Sequence, residues 1–99
     1  MIVIAGQFPV QPEKREEAVA AALEMAAATQ QEVGCLRYDF HASLADPNLF
    51  LIFEEWETAE VLAAHSQTPH MAVFRQKLPH LTAGRGWIKR YEIASVGDL

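Results

Sequence analysis

The chain has a single cysteine, Cys35, in 99 residues. A lone thiol excludes an internal disulfide and any zinc cluster built from cysteines, and it suits a reducing compartment. Basic residues are scarce: eight Lys and Arg stand against thirteen Asp and Glu, for a formal charge of −5. Phosphate backbones need a basic face, so nucleic acid is not an expected partner. The one basic cluster, Arg85 to Arg90, is diluted by Gly86, Trp87 and Ile88. No apolar run approaches the ~20 residues that cross a bilayer. The first ten residues, MIVIAGQFPV, are apolar but lack a basic start, so no targeting segment is read there. The expectation is a cytoplasmic protein without membrane contact. A phosphate-cradling glycine loop is missing, since Gly84-Arg85-Gly86 is too short, and no serine stands in an elbow motif.

What is present reads as one domain over residues 1–99, 51% hydrophobic and 21% charged. Residues 2–10 alternate as a strand, with Ile2, Ile4, Gly6 and Phe8 on one side and Val3, Ala5 and Gln7 on the other. Gly6 leaves a gap in that wall, for a pocket, a close backbone approach or simple packing. Residues 11–33 form a helix started by Pro12, with Glu13, Glu16 and Glu17 at the positive end of its dipole. Its expected buried stripe is Val19, Ala22, Leu23, Ala26 and Val33, and Gly34 is a left-handed stop. Residues 35–44 and 49–56 form a hairpin across the turn Ala45-Asp46-Pro47-Asn48. Thr58 caps a short helix, 59–66, and Thr68-Pro69 starts another piece that Pro79 ends or bends. Residues 87–94 are the last strand.

The order β-α-β-β-α-β is the ferredoxin-like pattern of an α+β fold, an antiparallel sheet with both helices on one face. The first and third strands are apolar on both sides, and no third layer remains to cover the open face. A symmetric homodimer with sheets packed together is the simplest answer.

The segments EVGCLRYD (32–39), DPN (46–48), FEEW (53–56) and AHSQTPH (64–70) resemble the antibiotic biosynthesis monooxygenase family. The resemblance implies a dimeric α+β barrel with a pocket between sheet and helices in each subunit. Members of that family include monooxygenases that oxidise quinols or anthrone-like polyketides without metal or flavin, haem-degrading enzymes, and an isomerase of a phosphorylated signalling molecule. The haem-degrading branch uses an asparagine in the first strand and a later histidine. Here Gly6 and Arg75 fall near those places, which argues against haem breakdown.

Residues 48–71, NLFLIFEEWETAEVLAAHSQTPHM, gather an acid, an indole and two imidazoles where a strand hands over to a helix. His65 is the candidate base, because an imidazole takes up a proton near neutral pH; the alternative is a hydrogen-bonded structural histidine. Glu54 lies on an otherwise apolar face, where it orients His65, bonds Tyr91 or Arg90, binds substrate, or reaches water at the strand end. Trp56, Phe74 and Phe8 are candidate pocket walls or core, and Tyr91 is a further substrate contact; His70 either lines the pocket mouth as a substrate contact or is simply exposed. The row Arg37, Asp39 and His41 reads as an interface or solvent face. A metal site is not expected: His65 and His70 are five apart across a proline boundary, with no carboxylate at a fitting spacing. The leading reading is a cofactor-independent monooxygenase that joins O2 to a small phenolic, quinol or polyketide-like aromatic. The alternatives are an isomerase of a small polar carbonyl compound and a non-enzymatic dimeric ligand-binding module.

Overall fold

A computed structural model describes residues Met1–Leu99. Strand β1 (Ile2–Pro9) leads through a 3-10 turn (Pro12–Lys14) into helix α1 (Arg15–Thr29). Strands β2 (Cys35–Ala42) and β3 (Leu49–Trp56) follow, then helices α2 (Ala59–His65) and α3 (Pro69–Leu81), and strand β4 (Trp87–Glu92). The four strands make one antiparallel sheet in the order β2-β3-β1-β4. This is the ferredoxin-like α+β fold expected from the element order.

The register sets the two faces. Ile4 lies opposite Glu54 and Gly6 opposite Ile52, while Tyr38 lies opposite Glu54. The helix-facing side therefore carries Ile2, Ile4, Phe50, Ile52, Glu54, Trp56 and Tyr38, all buried. The other side carries Val3, Ala5, Leu49, Leu51 and Phe53, which are only half-buried. Its borders are Trp87 and Tyr91 on β4, paired with Gln7 and Val3, and Arg37 on β2, whose guanidinium sits 4.9 Å from the Phe53 ring centre.

Helix α1 packs through Ala18, Ala21, Ala22, Met25, Ala26 and Thr29. The expected stripe is thus corrected: Val33 lies beyond the helix and is 87% exposed, and Leu23 is 64% exposed. Alanines at i, i+3, i+4 and i+8 (Ala18, Ala21, Ala22 and Ala26) let the helix axis come close to the sheet and to α3, and closeness outweighs side-chain size. The helix also ends sooner than expected, at Thr29, and a turn carries the chain over 30–34. Gly34 closes that turn at φ 84, with no room for a Cβ beside Val61. Pro79 does not end α3, which runs on to Leu81. A proline two residues before a helix end removes one backbone bond, and the Thr82 N–H still closes onto the Leu78 carbonyl at 3.0 Å.

The turn and cap chemistry follows the sequence reading. Asp46 Oδ1 accepts the Asn48 N–H at 2.9 Å, and the Thr58 and Thr68 hydroxyls accept from Val61 and Met71. Gly6 is a close-approach glycine: a Cβ there would stand 2.7 Å from the Trp87 carbonyl oxygen of β4. All six residues of β4 are exposed, so the helices leave that edge of the inner face open.

Candidate active site

The uncovered edge opens into a cavity of about 490 Å3 between the inner sheet face and helices α2 and α3. That volume lies within the range of small-molecule sites. Ile4, Phe8, Phe40, Ile52 and Phe74 supply much of an apolar wall. Glu54 and His65 are the acid and the imidazole in the lining, and no lysine or arginine reaches it.

His65 ends α2 and is 4% exposed. Its ring lies 4.7 Å from the Trp56 ring and 5.6 Å from that of Tyr38, so packing fixes its plane. Its Nδ1 stands 2.7 Å from Glu32 Oε2. His70 Nε2 stands 2.7 Å from the same oxygen. An ionised carboxylate only accepts, so both ring nitrogens are N–H donors. In the neutral His65 ring this places the proton on Nδ1 and leaves Nε2 as the basic nitrogen.

Glu54 does not orient His65, and it bonds neither Tyr91 nor Arg90. Its Oε1 accepts the Trp56 indole N–H at 2.9 Å. Period-two spacing on one strand brings the two side chains together. Burial pushes the Glu54 carboxyl up to about 7, with the Trp56 hydrogen bond working against the rise and Glu32 adding to it. Burial, with the nearby Glu54 carboxylate, likewise pushes the Tyr38 phenol well up.

The structure thus brings together His65, Glu54, Phe74 and Phe8 of the expected site residues. Trp56 is fully enclosed beneath the cavity and forms no part of its wall, because the strand end carries it under His65. His70 opens instead onto a smaller groove between α1 and α3, beside Ala21, Met25 and Phe74. Tyr91 pairs with Val3 and so lies on the opposite face of the sheet. Arg75, near the place of a haem-ligating histidine, donates to the Ser66 carbonyl at 3.0 Å.

Glu32 is the residue the sequence reading passed over. It sits in the 30–34 turn, its N–H on the Thr29 carbonyl and its own carbonyl accepting from Cys35. One signal was available. An acid just past a helix C-terminus faces the negative end of the dipole, where a cation is favoured, so it calls for a compensating partner. The spacing argument against a metal site also loses its footing, since the carboxylate beside the two histidines comes from 33 positions upstream.

Residues 1–77 match the model of the antibiotic biosynthesis monooxygenase family. An uncharacterized protein of Synechocystis is 38% identical over 98 residues, covering 99% of this chain and 67% of the relative. YcnE of Bacillus subtilis, provisionally named a monooxygenase, is 29% identical over 95% of this chain and 99% of its own. Among solved structures, a Deinococcus radiodurans protein provisionally assigned as an antibiotic biosynthesis monooxygenase superposes with TM-score 0.93 at 27% identity, covering 100% of this chain and 98% of its own. A conserved protein from Bacteroides thetaiotaomicron superposes with TM-score 0.85 at 34% identity, covering 93% of this chain and 96% of its own.

Proposed function

The chain belongs to the antibiotic biosynthesis monooxygenase family, and from that premise we propose that it is a monooxygenase joining O2 to a small, uncharged aromatic of the quinol, phenolic or polyketide-like class. The carrying observation is the cavity itself: an apolar chamber holding one imidazole and one buried carboxyl, with no cation in its lining. Such a lining suits a neutral aromatic and offers nothing to an anionic or phosphorylated one. An isomerase of a small polar carbonyl compound would be favoured by an arginine turned inward. Arg37 instead lies on the open face against Phe53 and Asp39, and Arg90 sits at the exposed edge near Glu92.

In this reading Nε2 of His65 takes the hydroxyl proton of the bound aromatic. The anion is electron-rich and gives an electron to O2. Recombination forms a carbon–oxygen bond and a peroxide anion, which takes back the proton from His65. The O–O bond then breaks as the same carbon gives up its hydrogen. One oxygen atom remains as a carbonyl and the other leaves as water. The substrate supplies two hydrogens and four electrons, so no added reductant, metal or flavin is needed. Glu32 holds the His65 tautomer. The apolar walls keep bulk water from the anion.

The working unit in this reading is a homodimer. The face carrying Val3, Ala5, Leu49, Leu51 and Phe53 is apolar and half-open, and a second copy covers it by symmetry.

Oxygen uptake with a panel of quinols and naphthols tests the reaction. We expect uptake matched one-to-one by product carbonyl, and a fall of about 10²–10⁴-fold in His65→Ala, the usual worth of a general base. Turnover that persists without oxygen would overturn the reading in favour of isomerisation.

A further inference from the structure

Glu32, His65 and His70 form a second feature of the site that the oxygenation chemistry does not use in full. One carboxylate oxygen lies 2.7 Å from a nitrogen of each ring, and all three ligand atoms fall within 4.8 Å of one another. We propose that this cluster binds a late first-row divalent cation of the zinc class, through a Glu32 oxygen, Nδ1 of His65 and Nε2 of His70.

The donor set selects the metal. Two imidazoles and one carboxylate suit zinc, cobalt or nickel, whereas magnesium and calcium want oxygen throughout. Charge favours the ion as well. No lysine or arginine pairs with Glu32, whose charged partners are the two histidines alone. A divalent cation supplies the positive charge that neutral imidazoles do not.

The three ligands are already held in place. Glu32 is fixed by the turn that Gly34 closes. His65 is 4% exposed and held between the Trp56 and Tyr38 rings. His70 stands in the first turn of α3, which the Thr68 hydroxyl caps. Bonds of about 2.0–2.1 Å in tetrahedral geometry put ligand atoms roughly 3.3 Å apart, so each oxygen–nitrogen pair opens by about half an ångström. The His70 side chain is 25% exposed, which gives the fourth position access to water.

Occupancy has a chemical consequence. A cation on Nδ1 takes the place of the proton there, and the neutral ring must then carry its proton on Nε2. The cation and the basic nitrogen are mutually exclusive, so zinc is expected to silence a base at His65. The binding itself rests on three side chains and not on the proposed oxygenation, and it is measured without substrate.

The test is a titration of chelator-stripped protein with Co2+, followed by visible absorption and by native mass spectrometry. We expect one cobalt per chain, the visible bands of a low-symmetry nitrogen–oxygen site, and displacement by Zn2+. Glu32→Gln and His70→Ala should each weaken binding by at least about tenfold, since loss even of an outer-shell partner commonly costs that much. His80→Ala, a histidine outside the cluster, should bind as the parent does. His70 is partly exposed, so His70→Ala is expected to fold, and its melting curve checks this. Undiminished cobalt affinity in both cluster variants, or no stoichiometric binding by the parent at millimolar Co2+, would overturn the proposal. Either result leaves the oxygen-uptake experiment untouched.

Discussion

His65 Nδ1 and Glu32 Oε2 lie 2.7 Å apart although 33 positions separate them in the chain. The contact joins the end of α2 to the turn after α1. It gives the cavity's imidazole a fixed plane and a fixed tautomer, which no neighbour on its own helix supplies.

Glu32→Gln should therefore lower kcat while leaving KM nearly unchanged. Glutamine keeps the shape but removes the charge that favours an imidazolium on His65, and its amide nitrogen donates where the carboxylate accepted. The loss of kcat should fall between about tenfold and the ~10⁴-fold seen when a triad loses its orienting carboxylate. Steady-state oxygen uptake separates the two parameters. An unchanged kcat would show that Glu32 does not position the base.

Glu54 predicts a pH-dependent stability. Its carboxyl titrates at about 7 in the folded chain against an ordinary 4.5, because burial penalises the charged form. Below pH 4.5 both folded and unfolded forms hold the proton and the group has no effect. Between pH 4.5 and 7 the unfolded chain releases its proton first, so stability falls as pH rises, and above 7 the loss levels off. The gap corresponds to roughly 3 kcal/mol at most. Glu54→Gln should flatten this slope and make the variant more stable than the parent at pH 8. Urea unfolding at pH 4.5 and 8 measures it, and parallel curves for the two proteins would contradict the burial argument.

Much of this was legible beforehand because the signals are local. Alternation along 2–10, 35–44 and 49–56 gave the strands and their faces, and Asp46, Thr58 and Thr68 marked turns and caps that act within three residues. The α1 stripe is not legible from hydrophobicity, because Leu23 outweighs Ala21 on that scale while the fold selects by how closely the helix can approach. Alternation assigns Trp56 and Tyr91 to their strands, but whether a strand face looks into a cavity depends on which helix lies over it. Glu32 was out of reach of any spacing rule, since the contact it makes is tertiary.

Gly34 links the turn to stability. Its φ of 84 disfavours any L side chain, and a Cβ would stand 2.7 Å from Val61. Gly34→Ala should destabilise the fold by about 1–3 kcal/mol, the usual cost of a strained backbone residue. Val61→Ala in the same chain should recover the steric part and not the dihedral part. A double variant no more stable than Gly34→Ala would show that the Val61 contact costs nothing.

The open sheet face carries the last prediction. Leu51 lies on β3 opposite Gln7 and His41, in the middle of the half-buried apolar field. Its face looks away from the cavity, so a charge there leaves the site's own walls in place. In a homodimer packed through this face, a glutamate at position 51 would be buried without a partner in each copy and near its symmetry mate. Leu51→Glu should then convert a species of twice 11.0 kDa into one of 11.0 kDa. Sedimentation at micromolar concentration reads the mass directly, and circular dichroism confirms that the separated chain is folded. A parent that already sediments at the single-chain mass would remove the dimer from the reading, and the half-buried Val3, Leu51 and Phe53 would then need a different cover.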